Sequence, residues 1–239
     1  MSNFVDLHHH LIYGVDDGAR SLEHMQKMIL RAVDEGVTDL VCTSHVTPGH
    51  APFPGEVYLA HMEEANAFIA EKGLNLTLHT GCEILYTEAS ARLLREGQIP
   101  TLAFTDAVLV EFTPDMTFHQ LTEAATSLGT AGYDVIFAHV ERYDALRNNL
   151  KNVRALRDDF GVYMQMNANT VTTKKCFFTE RWVRHMLEEG YIDCVATDAH
   201  NTSFRPCNLR VCHEMLCGRY GLEVANDLCG GFQRRLLGI

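Results

Sequence analysis

Asp6-Leu-His-His-His10, with the Val15-Asp-Asp-Gly18 turn that follows it, is the densest grouping of metal-ligating residue types in the chain. Phe4 and Val5 begin an apolar run, so the segment reads as the end of a first buried strand. Side chains on a strand alternate, which predicts Asp6, His8 and His10 on one face and Leu7 and His9 on the other. Two imidazoles two residues apart, followed by carboxylates, form a nucleus for binding a divalent cation. Their setting between strand-like hydrophobics and an Asp-Asp-Gly turn separates these histidines from an expression tag.

The same residue types recur at regular places. His45, Glu83, Glu111, His139, Asp198 and His200 each follow an apolar, strand-like run, at 37–43, 74–80, 107–110, 135–138 and 192–196. A further strand is expected at 162–166, ending at Asn167. The segments between them have helical character. Ser21 is placed to cap a helix running to about 35, Gly36 and Gly73 to stop helices, and further helices are expected at 56–72, 87–96, 117–131, 149–159, 180–189, 206–219 and 222–237. Strand and helix alternate about seven times without a linker or sequence repeat, which predicts a parallel α/β sheet. At 239 residues it is expected to close into a barrel, as one domain spanning 1–239.

In such a barrel the C-terminal strand ends converge on one face, where chemistry is placed. One His or Glu after a strand is ordinarily a solvated loop residue, but here nearly every strand end carries one. Together with Asp17 they make nine candidate ligands, too many for one cation. A mixed imidazole and carboxylate set of this size suits two or three ions of the manganese, iron or zinc type. Adjacent cations suit displacement at phosphorus, so hydrolysis of a phosphoester is the first chemical expectation. Arg142, three residues beyond His139, is placed to hold a phosphate bidentately, the alternative being a surface ion pair. His24, His61, His119, His185 and His213 fall in helical segments and read as surface or packing residues.

The motifs Asp6-Leu-His-x-His10, Val15-Asp-Asp-Gly18, Thr43-Ser-His45, Gly81-Cys-Glu83, Val110-Glu-Phe112, Ala138-His-Val-Glu-Arg-Tyr143, Gln165-Met-Asn-Ala168 and Thr197-Asp-Ala-His-Asn201 resemble, in order, those of the polymerase-and-histidinol-phosphatase (PHP) superfamily. The resemblance is narrower to the bacterial PHP-type protein-tyrosine phosphatases of capsule and exopolysaccharide loci. It spans residues 6 to about 206. It implies a distorted seven-stranded, TIM-like barrel with three metals, commonly manganese. One metal would be held by His8, His10, Glu83 and Asp198, a second by Glu83, Glu111 and His139, and a third by Asp17, His45 and His200. It further implies that Arg142 orients the phosphate with Arg205 as helper, that a metal-bridged hydroxide attacks in line, and that the substrate is a phosphotyrosine protein such as a bacterial tyrosine kinase tail. Two segments depart from the family pattern. Ser44-His-Val-Thr-Pro-Gly-His50 leaves His50 as a competitor of His45, and Asn169-Thr-Val-Thr-Thr-Lys-Lys175 replaces a glycine-containing segment expected to border the substrate.

Other classes fare less well. A histidinol-phosphate phosphatase would use the same metals with different loops. Amidohydrolases also open with His-x-His, but usually supply a bridging Lys where Glu83 and Glu111 stand. Cys229-x5-Arg235 has the spacing of a cysteine phosphatase loop, yet only four residues follow it and no strand precedes it. A net charge of −11 disfavours a nucleic-acid surface. No apolar run approaches membrane-span length, and the first residues lack signal-peptide features. Eight scattered cysteines without a C-x-x-C pair fit reduced thiols, and the expected location is the cytoplasm.

Overall fold

The computed structural model describes residues 3–174 and 176–239, so Lys175 of the unusual 169–175 segment lies outside the described residues. Among these residues, seven parallel strands pair in chain order: β1 (Phe4–His9), β2 (Val37–Val46), β3 (Thr77–Leu85), β4 (Ala107–Glu111), β5 (Asp134–Phe137), β6 (Tyr163–Asn167) and β7 (Cys194–Ala196). The crossovers carry α1 (Leu22–Asp34), α2 (Gly55–Lys72), α3 (Ser90–Arg95), α4 (Phe118–Thr130), α5 (Leu150–Asp158), α6 (Ala168–Thr172) and α7 (Phe177–Glu188). Three further helices follow β7: α8 (Leu209–Tyr220), α9 (Leu222–Asn226) and α10 (Phe232–Leu237).

Local chemistry sets many of these limits. Ser21 Oγ accepts from His24 N and starts α1, a reciprocal Thr117–Gln120 capping box starts α4, and Gly73 ends α2 with φ of 60°. Every residue of β1 is buried, as expected for a strand covered on both faces.

The sheet is curled. Leu7, Val41, Leu109, Ile136 and Ala196, from five strands spread across it, pack in one cluster with Leu102 and Leu237. A flat seven-stranded sheet holds its first and last strands too far apart for this, so the cluster fills a barrel lumen. The larger core cluster lies between the sheet and its helices. β7 reaches β1 through Asp198 N→His8 O (2.8 Å) and His10 N→Ala199 O (2.9 Å). Towards the opposite end the C-terminal segment fills the seam: Gln233 Nε2 donates to Val195 O, and Gly230 lies against the backbone of Asn3 to Val5.

Several sequence expectations shift. β2 and β3 extend further, so His45 and Glu83 sit inside the last strand residues and not beyond them. The helix expected over 222–237 is interrupted by a π-helical turn at Asp227–Gly231, because the chain there bends into the β1–β7 seam. Cys229 lies buried in that turn, which excludes it as the nucleophile of a phosphate-binding loop. The 3-10 turn at Leu102–Phe104 and helix α6, which begins directly after Asn167, have no counterpart in the sequence reading. Among the described residues, no helix is long and apolar enough to cross a membrane.

Candidate metal centre

β1 presents its histidines through an irregularity. Asp6 pairs with Leu40 and His9 with Cys42, so the register shifts between them. Leu40 and Cys42 belong to the outer core, whereas Leu7 packs with Val41 in the lumen. The strict alternation predicted for Asp6, His8 and His10 is therefore broken. Asp6 accepts hydrogen bonds from Thr197 N and Oγ1 on the outer side, while His8 and His10 turn inward. Burial pushes the Asp6 carboxyl up to about 6, against the opposing effect of those bonds. His9 is fully buried and neutral.

Inside the C-terminal rim the ligand-type side chains converge. His8 Nε2 lies 3.0 Å from Glu83 Oε2, 3.4 Å from Asp198 Oδ1 and 3.2 Å from His10 Nε2. His10 Nε2 is in turn 3.2 Å from Glu83 Oε2 and 3.5 Å from Asp198 Oδ1. His45 Nδ1 lies 3.2 Å from Glu83 Oε2 and 3.0 Å from Glu111 Oε1. His139 Nε2 is 2.8 Å from Glu83 Oε1 and 3.6 Å from Glu111 Oε2. Asp17 Oδ1 lies 3.2 Å from His200 Nε2 and 3.5 Å from His45 Nε2. The nine sequence candidates thus share one continuous cluster. His50, the competitor of His45, is exposed and lies outside these groups.

Among the described residues, three sets have donor atoms all within 4.8 Å of one another: His8, His10, Glu83 and Asp198; His45, Glu83 and Glu111; and His10, Asp17, His45 and His200. The first has two ring nitrogens and two carboxylate oxygens facing a common point, an arrangement that fits a divalent cation. His200 Nε2 is buried with no aligned hydrogen-bond partner, a further donor left over for a cation. The first set has the composition expected by resemblance. In the second His45 stands where His139 was expected, His139 lying in none of the three and meeting the cluster through Glu83 and Glu111. In the third His10 joins Asp17, His45 and His200.

Electrostatics bind the cluster together. Burial alone would raise the Glu83 carboxyl, but His8, His10 and His139 outweigh it and hold it well below the usual range. Asp198 behaves likewise, burial being overcome by His8 and His10. Burial also opposes charge on His139, yet hydrogen bonds to Glu111 and Glu83 carry its pKa up to about 9. His139 and Asp198 adopt left-handed backbone conformations, with φ of 34° and 53°. Each costs about 1–2 kcal/mol for a residue with a Cβ, and aims its side chain back across the rim.

A second layer orients these groups. Asp16 Oδ2 lies 2.8 Å from His10 Nδ1 and accepts from His45 N, while its Oδ1 accepts from Gly18 N. The Asp-Asp pair therefore splits, Asp17 pointing to the cluster and Asp16 holding a ligand ring. A Cβ on Gly18 would come within 2.3 Å of His10 O, which explains glycine there. Gln165 Oε1 accepts from His139 N and contacts His8 Nδ1, and Asn167 Nδ2 donates to Asp198 Oδ2. Asp16 was passed over in the sequence for its neighbour. The roles of Gln165 and Asn167 were legible only as alternate residues at the end of β6.

Arg142 Nη2 donates to Asp198 Oδ2 at 2.8 Å, and Arg205 Nη2 to Asp198 Oδ1 at 2.6 Å. Both guanidiniums are partly exposed, so they face the cluster from its open side. The Arg205 loop is stitched by Asn201 Oδ1, which accepts from Ser203, Phe204 and Arg205 N. That loop presents the Phe204 ring 91% exposed.

A family model for capsular polysaccharide synthesis, CpsB/CapC, matches residues 4–237. The chain belongs to this family. It is 31% identical over 238 residues to the tyrosine-protein phosphatase CpsB of Streptococcus pneumoniae, covering 98% of both chains. Its fold superposes with a TM-score of 0.87 and 23% identity, over 98% of this chain and 94% of the other, on a solved structure of YwqE from Bacillus subtilis and CpsB from Streptococcus pneumoniae, described as metal-dependent tyrosine phosphatases. At fold level the likeness extends to a histidinol phosphate phosphatase of Lactococcus lactis, with a TM-score of 0.60 and 15% identity over 97% of this chain and 98% of that one.

Proposed function

We propose that this CpsB/CapC-family chain is a metal-dependent protein-tyrosine phosphatase acting in the cytoplasm on a tyrosine kinase of capsule or exopolysaccharide synthesis. The observation that carries the reading is one juxtaposition: eight grouped donor residues, joined by His139 through Glu83, with two guanidiniums on their open side, in a family with tyrosine-protein phosphatase relatives. His8, His10, Glu83 and Asp198 would hold one cation, Glu83 and Glu111 with His139 and the adjacent His45 a second, and Asp17, His45 and His200 a third. When bound, two or three such ions, manganese in the first instance with iron or zinc as alternatives, supply Lewis acidity and make a nucleophile of water at neutral pH.

The chain's own residues do the rest. Arg142 and Arg205 take the phosphate oxygens, exchanging Asp198 for a charge-assisted pair with substrate. Glu83, whose two oxygens face different imidazoles, would serve two of these ions. Asp16, Gln165 and Asn167 keep the ligand rings and carboxylates aligned without touching substrate. Phe204 offers a face for an aromatic leaving group, which favours phosphotyrosine over an alkyl phosphate.

A small phosphomonoester is the second reading, favoured by the fold likeness to histidinol phosphate phosphatase. Hydrolysis of a phosphotyrosine peptide and of histidinol phosphate, each with chelator and with manganese restored, separates the two. The expected result is chelator-sensitive turnover preferring phosphotyrosine. A preference for histidinol phosphate would overturn the substrate, and activity indifferent to chelator would overturn the metals.

A further inference from the structure

A cavity of about 360 Å³, lined in part by Thr170, Val171 and Thr172 of α6, has a charge that opposes that of the molecule. Acidic residues exceed basic ones, 31 to 20, in the chain as a whole. Yet this cavity is lined by Lys174, Arg181, Arg184 and Arg219 with Glu180 as the one carboxylate. By contrast, the cavity lined by Asp193, Glu223, Asp227 and Arg235 is acidic, and so is that lined by Glu88, His119 and Glu123. Apolar side chains share the lining with three threonines: Val183 is buried at the floor, while Phe177 and Met215 are 70% and 43% exposed. Positive charge around exposed hydrophobic surface suits an extended acidic peptide, whose carboxylates pair with the rim while its side chains cover the floor.

The cavity is coupled in space to the proposed active site by α6. At the start of that helix Asn167 donates to Asp198, and Glu141 Oε1, next to Arg142, accepts from Asn167 N and Thr170 Oγ1. Thr170 and Thr172 line the cavity, and Asn208, three residues after Arg205, donates to Thr172 Oγ1. Five residues of helix rise about 7.5 Å. A peptide advances roughly 3.3 Å per residue when extended, so the length of α6 corresponds to about two peptide positions.

We propose that this cavity is an exosite that binds acidic residues flanking the phosphotyrosine of the protein substrate. The proposal rests on the phosphotyrosine reading of the site, and deepens it by assigning sequence preference to the 170–174 segment, α7 and α8.

The test uses full-length protein with manganese and two phosphotyrosine peptides differing only in flanks, aspartate-rich or alanine. Wild type should favour the acidic peptide about tenfold in kcat/KM at low salt, through KM and not kcat, and lose the preference at high salt. The double substitution Arg181→Glu and Arg184→Glu, at two exposed positions, should abolish or invert the preference while phenyl phosphate turnover stays at the wild-type rate. Equal use of the two peptides by wild type, or a preference surviving in the double variant, would overturn the exosite. Fluorescence anisotropy of a labelled acidic peptide with Phe at the tyrosine position reads the cavity without turnover. Binding to wild type and loss in the variant support the exosite even if phosphotyrosine is not hydrolysed; absence of binding to wild type overturns it.

Discussion

Arg142 and Arg205 both donate to Asp198, yet they reach it from opposite sequence neighbourhoods and with part of each guanidinium in solvent. An arginine built only to neutralise a buried carboxylate would gain by full burial. Two half-exposed forks on one carboxylate are better explained as anion receivers. Replacing Arg142 by Ala should therefore raise KM for an aryl phosphate by about tenfold to a hundredfold, the loss of one charge-assisted pair, and leave bound metal unchanged in elemental analysis. Loss of metal instead would make its partner Asp198, and not the phosphate, its main business. Asp16 works in the reverse sense. It touches the His10 ring on the nitrogen turned away from the cluster. Asp16→Ala should weaken metal affinity by about 10–100-fold in a manganese titration, with turnover restored at saturating metal. If turnover stays low at full loading, Asp16 takes part in the reaction itself.

At the scale of elements, the turn between β1 and α1 shows how tightly backbone and site are joined. Gly18 N donates to Asp16, Ala19 N donates to His10 O, and an added Cβ at position 18 would overlap that same carbonyl. Gly18→Ala should cost about 1–3 kcal/mol in urea unfolding and lower metal affinity as well, because relief of the clash must move His10. A stable variant with normal metal binding would mean the turn is looser than its contacts imply. The alternation of strands and helices, and the strand-end placement of His10, Glu111, His139 and Asp198, were legible because apolar runs, caps and glycines are local signals. What stayed hidden depends on partners distant in sequence. The β1 irregularity that turns Leu7 and His8 inward is set by pairing with β2. The left-handed turns at His139 and Asp198 carry strain that no propensity announces. The break in the C-terminal helix follows from the seam that Asp227–Gly231 enters. His45 was recognisable as a ligand type, but its place between two donor sets needed three strands in register.

Across the whole molecule, the cluster sets a balance between protons and metal. In metal-free protein the buried carboxylates of Glu83 and Asp198 are countered by protonated rings, chiefly His10, held well above its ordinary value, and His139, raised from 6.5 to about 9. A base with a raised folded-state pKa adds stability that is complete below 6.5 and vanishes as pH climbs through about 9. Depressed carboxylates do the opposite: Asp16, lowered from 3.8 to about 2, adds stability above its ordinary value that is lost as pH falls through the lower one. Asp6 runs against Asp16, its share being present in acid and gone above about 6. Metal-free protein should accordingly lose stability between pH 7 and pH 10, as the rings shed protons and leave the carboxylates unpaired. Divalent cations bind neutral imidazole, so loading must expel those protons. Adding manganese to metal-free protein at pH 7 should acidify a weakly buffered solution, and the manganese needed for half-loading should fall as pH rises towards 9. Chelation should lower Tm, since metal at a thousandfold over its Kd contributes about 4 kcal/mol to the folded state. Proton release read by pH-stat and thermal scans with and without chelator give two independent measures of one linkage. If manganese releases no protons and chelator leaves Tm unchanged, the histidines and carboxylates of the rim pair with one another as an internal ion network, and the cluster is not a metal centre.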